Sequence, residues 1–282
     1  MGRLSSARRV RHVTVTTKGP ASPHGDATTV ASAYRPLRLL QEAVLNVNAH
    51  GTRVLSVARV PGHDIELVNG FLFGEGIIQD RAGVVKASFC SGADASGLNS
   101  YNSLDVDLDP HSVLRLASYQ ARHTSVSCGV PASTISTAES TPTITPVVPT
   151  AFGAPDILEI PSLARRMAPM LAKTGAGIAA AAFSNGQLHL VREDLGASTA
   201  VDKLIGSLLI DDSPTAGGLL FVDAPLTEGV VKHALRAGFS GIAATGSATA
   251  AAVEACEQAG AFLATDIFPQ AGTFNLHNGA LA

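Results

Sequence analysis

The sequence has no tryptophan, three cysteines, three tyrosines and only 15% charged residues in 282. Three cysteines, Cys90, Cys128 and Cys256, are too few and too scattered for a disulfide framework, and their number is odd. That usage points to a reducing, cytoplasmic setting. No stretch reaches eighteen consecutive apolar residues, so no membrane-spanning helix is expected. Cys-x-x-Cys and His-x-x-x-His pairs are absent and the nine histidines are dispersed, so no tightly bound metal is expected. A net charge of −3 leaves no basic footprint for nucleic acid. What is abundant is apolar: 46% hydrophobic residues suffice for one large domain or two modest ones and argue against disorder.

Residues 1–35 are polar and rich in Gly, Ser, Thr and His, and read as a flexible arm with one strand at 13–16. The basic start carries no apolar run, which suits a frayed tail better than a secretion signal. Residues 36–138 read as a smaller strand-rich N-terminal domain. Segments 43–48 and 53–60 alternate around a turn at Asn48-Ala49-His50-Gly51, which predicts a hairpin. Pro61-Gly62 breaks the second strand, Asp64 is placed to cap a helix, and Ile65, Val68, Phe71 and Leu72 form its apolar stripe. Gly74 or Gly76 would end it. Residues 104–108 alternate as a half-exposed strand.

Residues 139–156 hold Pro142, Pro146, Pro149 and Pro155 among threonines and read as a linker. Over 157–282 the pattern changes. Helical stretches at 163–173, 197–209, 227–237 and 248–259 alternate with short apolar strands at 177–183, 219–222, 241–245 and 262–264. The expected fold class is therefore mixed α/β (α+β), with a layered second domain.

Cys128 sits in Ser125-Val126-Ser127-Cys128-Gly129-Val130-Pro131, a polar loop whose free backbone N–H groups would favour a reactive thiolate; a buried, inert thiol is the alternative. Cys90 and Cys256 read as structural. Lys173 to Ala180 is spaced like a dinucleotide fingerprint, with Glu193 and Asp194 about twenty residues on. Its context is wrong, because a helical stretch precedes it and a strand follows; an α/β oxidoreductase rests on that spacing alone. His63 and Asp64 read as a turn followed by a cap rather than as an acid–base pair.

The block from Val60 to Ile78 and the frame Glu193-Asp194-Leu195-Gly196…Asp202-Lys203-Leu204-Ile205-Gly206 resemble the FdhD family of sulfur carriers for formate dehydrogenase, over about residues 40–276. The resemblance implies a cytidine-deaminase-like layered domain. It also implies that Cys128 takes a persulfide sulfur from a cysteine desulfurase. The sulfur then passes to molybdenum bis-guanine dinucleotide, the client cofactor of formate dehydrogenase, and the carrier is a cytoplasmic homodimer. The loop Phe268-Pro269-Gln270-Ala271-Gly272-Thr273 corresponds to the family's cofactor contact, and Phe274-Asn275 matches it. Zinc-deaminase motifs are absent, which disfavours deaminase chemistry.

Several polar family positions are altered. Pro131 stands for the second cysteine of the loop, so a local disulfide cannot resolve a persulfide on Cys128. Ile178 stands for a His near Thr174-Gly175, and Ala197-Ser198-Thr199 stand for Arg-His-Asn. The resemblance therefore implies either a working sulfur carrier or a divergent, non-catalytic relative that chaperones the cofactor or a partner. For Glu193, Asp194, Asp202 and Lys203 the competing role is structural: capping and pairing at a helix start.

Overall fold

The computed structural model describes residues 5–17, 28–90, 101–124 and 146–282. The chain begins with a ribbon of two antiparallel strands, β1 (Ser5–Thr17) and β2 (Thr28–Leu40), in which Ser5 lies opposite Leu40. The flexible arm with one strand at 13–16 is thus replaced, over these residues, by two paired strands. Alternating β-branched residues at the far end favour the extended chain, and the arginines nearer the base can lie along a strand with their heads in water.

The expected hairpin is present as β3 (Ala43–Ala49) and β4 (Thr52–Arg59). His50 and Gly51 join them with φ of 49° and 76°, the doubly positive turn that matches strand twist. Next comes α1 (Asp64–Gly74), ended by Glu75 and by Gly76 at φ 74°. Its capping differs from expectation. His63, at φ 57°, occupies the cap position without a side-chain bond, and Asp64 is already helical. The Asp64 carboxylate is turned instead to the buried Arg59.

β5 (Val84–Phe89), β6 (Ser103–Leu108) and α2 (Pro110–Thr124) follow. These strands form a four-stranded sheet in the order β4-β3-β6-β5, with β6 parallel to β3. Leu45, Val47, Leu104 and Val106 on its inner face pack on Leu67, Val68 and Leu72 of α1 and Leu116 of α2.

α3 (Ala154–Arg166) starts inside the stretch read as linker, and α4 (Pro169–Thr174) follows a break. The sequence had suggested one helix over 163–173. Pro155 suits a first helical turn, where its missing N–H costs nothing, and Pro169 ends continuity by starting a new turn. The remaining elements are β7 (Ile178–Ser184), β8 (Gln187–Asp194), α5 (Ala197–Ile210), β9 (Leu219–Val222), α6 (Glu228–Arg236), β10 (Gly241–Ala244), α7 (Ala250–Ala259), β11 (Phe262–Phe268) and β12 (Thr273–Asn278).

They build a six-stranded mixed sheet in the order β12-β11-β10-β9-β7-β8. β9, β10 and β11 are parallel, and β7 runs antiparallel to both neighbours. Leu220, Val222, Ile242 and Ala244 face α5, α6 and α7, while Leu219, Phe221 and Ala243 face α3. Burial on both faces explains why these strands read as short unbroken apolar runs rather than alternating ones.

The two sheets are joined through α1 and α5, whose backbones touch. A Cβ on Gly70 would lie 1.9 Å from the Asp202 carbonyl oxygen, and one on Gly206 would lie 1.8 Å from that of Glu66.

Candidate functional site

The residues that carry the family resemblance fall into two groups in space. The first is the junction around α1 and α5. The Val60 N–H donates to Asp194 Oδ1 at 2.8 Å, and Lys203 Nζ donates to the Val60 carbonyl at 2.9 Å. Lys203 and Asp194 pair at 2.7 Å with both side chains at most 2% exposed. One buried ion pair therefore satisfies both backbone groups of the residue that opens the 60–78 block. Arg59, also fully buried, donates from Nε and Nη2 to the two oxygens of Asp64 and from Nη1 to the Ala43 carbonyl. Arg192 of β8 reaches Glu66 with two bonds of 2.6 and 3.0 Å and Ser207 with a third of 2.8 Å. Burial works against the Glu66 carboxylate, but His63 and Arg192 outweigh it and bring its pKa down to about 2.

His233 closes the junction. Its Nδ1 lies 2.7 Å from Asp202 Oδ1 and its Nε2 3.4 Å from Glu75 Oε1. Gly74 makes room for the ring, since a Cβ there would come within 2.4 Å of it. Burial disfavours the imidazolium, yet the charge and hydrogen bond of Asp202, helped by Glu75, raise the His233 pKa from 6.5 to about 10. A raised folded-state pKa stabilises fully below the unfolded value and is lost as pH rises through the folded one. Stability is therefore expected to fall as pH rises from about 6.5 towards 10. His233→Gln should flatten that slope in thermal melts taken across the interval; a slope identical to the native one would show that His233 is not the group responsible.

Glu193 accepts the N–H groups of Met170 and Leu171 at the start of α4. Glu193, Asp194, Asp202 and Lys203 thus have the structural roles that the sequence left open: they fasten elements to one another.

The second group lies along one edge of the large sheet. β8, β9, β10 and β11 run in the same direction, so the segments after Asp194, Val222, Ala244 and Phe268 emerge together. α5, α6 and α7 begin at this edge, which is where open α/β sheets receive ligands. The altered family positions, Ile178 at the start of β7 and Ala197-Ser198-Thr199 at the start of α5, belong to the same edge. Thr199 donates to the Gly196 carbonyl and is nearly buried.

The loops after β9 and β10 are locked together. The Leu226 N–H donates to Ser247 at 2.9 Å, and Gly246 sits against Pro225, where a Cβ would come within 2.5 Å of backbone nitrogen. Arg165, from the end of α3, grips both oxygens of Asp223 at 2.9 Å, and Thr245 donates to the same carboxylate at 2.8 Å. The Arg165 side chain stays 56% exposed, and its pKa is raised by the Asp223 hydrogen bond. Sequence reasoning missed this trio. Its one signal was Arg165-Arg166 in the last turn of a helix, a common and unspecific arrangement.

The segment Phe268 to Thr273 is the turn between β11 and β12 at this edge. Phe268 pairs with Thr273, and the Ala271 and Gly272 N–H groups are used within the turn. Phe268 is half-exposed, and Gln270 and Thr273 are exposed. Behind it, Asn275 Nδ2 and Thr265 Oγ1 both donate to Asp266 Oδ2.

The dinucleotide spacing at 173–180 forms helix, turn, strand: α4 ends at Gly175, at φ 67°, and β7 begins at Ile178. That is the reverse of what a dinucleotide-binding turn requires. Thr174 Oγ1 donates to the Met170 carbonyl and accepts the Ala176 N–H, so it terminates α4.

Cys128 lies outside the described residues, four positions after α2 ends. The other two thiols are poor nucleophiles. Cys256 is fully buried, which pushes its pKa up to about 12. The hydrogen bond with Asp105 raises that of Cys90. Since the thiolate is the reactive form, neither is poised to carry sulfur.

A model of the FdhD/NarQ family matches residues 40–280. The sulfur carrier protein FdhD of Corynebacterium efficiens is 34% identical over the whole of both chains, and that of Mycobacterium tuberculosis is 32% identical over 92% of each. In fold, the chain is similar to a crystal structure described as a formate dehydrogenase accessory protein from Desulfotalea psychrophila. The TM-score is 0.65 and the identity 19%, over 96% of this chain and 97% of that one. The 60–78 block, the Glu-Asp…Asp-Lys frame and the two-sheet architecture that they fasten together thus agree with a match along nearly the full length: the chain belongs to the FdhD/NarQ family.

Proposed function

We propose that this chain is a cytoplasmic sulfur carrier that supports formate dehydrogenase. Cys128 accepts sulfane sulfur from a cysteine desulfurase and passes it to the molybdenum bis-guanine-dinucleotide client. The observation that carries the reading is the cysteine inventory. In a chain matched to the family over 40–280, Cys128 is kept in the loop segment Cys128-Gly129-Val130, while burial and Asp105 respectively disfavour the thiolates of Cys256 and Cys90.

Loading is an exchange that needs no outside oxidant. The Cys128 thiolate attacks the terminal sulfur of the donor persulfide, the donor S–S bond breaks, and the donor leaves as a thiolate. Pro131 in place of a second cysteine leaves the persulfide without a neighbour to displace it. In this reading the client lies along the carboxyl edge of the large sheet. The turn Phe268-Pro269-Gln270-Ala271-Gly272-Thr273 lies against it, and the exposed face of Arg165 supplies positive charge for its phosphates.

Incubation with an active cysteine desulfurase and cysteine is expected to add one reductant-labile sulfur to the intact mass of the native chain and none to Cys128→Ala. Absence of sulfur on the native chain, with a control acceptor loaded in parallel, would remove the carrier reading. A second reading, a cofactor- or partner-binding chaperone without sulfur transfer, is favoured by Ala197-Ser198-Thr199 and by the engagement of Arg165 with Asp223. It predicts binding of guanosine diphosphate with no mass gain.

A further inference from the structure

We propose that the β1–β2 ribbon is an interaction arm that docks on the body of a second copy of this chain. This goes beyond the sulfur-relay reading and does not depend on it.

The ribbon is anchored at its base. Gln41 Nε2 donates to Ser6 Oγ at 2.8 Å, Leu39 and Leu40 are half-buried, and Leu40 approaches Gly177. From there outward, every residue of 30–38 is exposed, as are 7–9 and 11–15, with Val10 half-buried. Thirteen-residue strands extend about 40 Å, and a two-stranded ribbon with nothing on its faces is marginal in water.

The pairing register puts Arg9, Arg11, Arg38 and Tyr34 on one face with Val13, Val15 and Val30. Arg9 lies 4.9 Å from the Tyr34 ring centroid, and the four apolar residues are 48–64% exposed. The face is a basic shaft leading to an apolar end, and the chain's own body does not cover it.

The charge distribution identifies the occupant. Residues 1–40 contain seven of the chain's 20 Lys and Arg but one of its 23 carboxylates; the remaining residues hold thirteen against twenty-two. A net charge near zero conceals a basic arm and an acidic body. The acidic surface always present beside the arm at the same concentration is another copy of the same chain. Reciprocal docking gives a closed pair in which every contact is made twice.

The test uses the full chain. Sedimentation is expected to give twice 28.8 kDa at low salt and a shift towards the monomer as salt rises. Arg9→Glu with Arg11→Glu and Arg38→Glu should weaken association at least about tenfold, because symmetry counts each charge twice. Melting of the body should be unchanged. A photo-cross-linker at Tyr34, in a mixture of isotopically light and heavy chains, should give mixed adducts that map to residues 41–282 of the other copy.

A monomer at all salt concentrations, a dimer that the triple variant leaves intact, or adducts confined to one chain would overturn the proposal. So would capture of a different acidic protein by a chain that stays monomeric. Sulfur loading of Cys128 is read separately by intact mass, so failure of either idea leaves the other standing.

Discussion

Gly206→Ala is expected to prevent folding or to cost several kcal/mol. The added methyl carbon would sit 1.8 Å from the Glu66 carbonyl oxygen and 2.8 Å from the Gly70 nitrogen. Overpacking of a core ordinarily costs about 1–3 kcal/mol because side chains can turn away. Here the obstacle is backbone of another helix, so relief requires α1 and α5 to separate. Separation would also strain the bonds from Asp194 and Lys203 to Val60 and from Arg192 to Glu66. Gly229→Ala is the control. It is also a helical glycine, but nothing lies within 4 Å of its Cβ position, so that change should be neutral or stabilise by up to about 1 kcal/mol. Chemical denaturation of the two variants separates steric blockage from general intolerance of helix glycine replacement. Equal stabilities would show that the helices are not in backbone contact.

Lys203→Met should cost about 3–5 kcal/mol, the usual penalty for leaving one member of a buried ion pair alone. Asp194 would remain without its cation in a site from which water is excluded, and the Val60 carbonyl would lose its donor. Many buried pairs can be replaced by apolar residues of similar size at little cost. This one should resist. Asp194→Leu with Lys203→Met removes both charges but strands the N–H and C=O of Val60, each a buried group that then lacks a partner. The double variant should therefore stay well below native stability in denaturant melts. Full recovery would mean that the charges matter and the clamp on Val60 does not.

The sequence revealed most where a pattern is local. The turn at His50-Gly51, the strand at 104–108 and the four short strands of the large sheet follow from alternation, β-branching and burial on two faces. The paired strands at the N-terminus were hidden because their faces carry arginine, serine and threonine, the composition of an unstructured tail. Asp64 was misread as a cap because a carboxylate before an apolar stripe suits one; its partner, Arg59, lies across a turn whose geometry only the folded chain sets.

The site divides in the same way. The edge could be anticipated from the altered segments at 178 and 197–199, but Arg165, Asp223 and Thr245 are joined by loops far apart in sequence and carry no shared pattern. The cysteine ranking needed burial and the proximity of Asp105, neither of which the sequence states.

The clamp on Val60 also has a consequence for synthesis. Its partners, Asp194 and Lys203, lie 134 and 143 positions later in the chain. At roughly 5–20 residues per second, α1 emerges from the ribosome roughly 7–30 s before the helix that must cross it. Throughout that interval the bare face around Gly70 is uncovered, with a buried-type arginine and an apolar stripe beside it. The first half of this protein is thus made as an unfinished surface, open to chaperones and to wrong partners until the second half arrives.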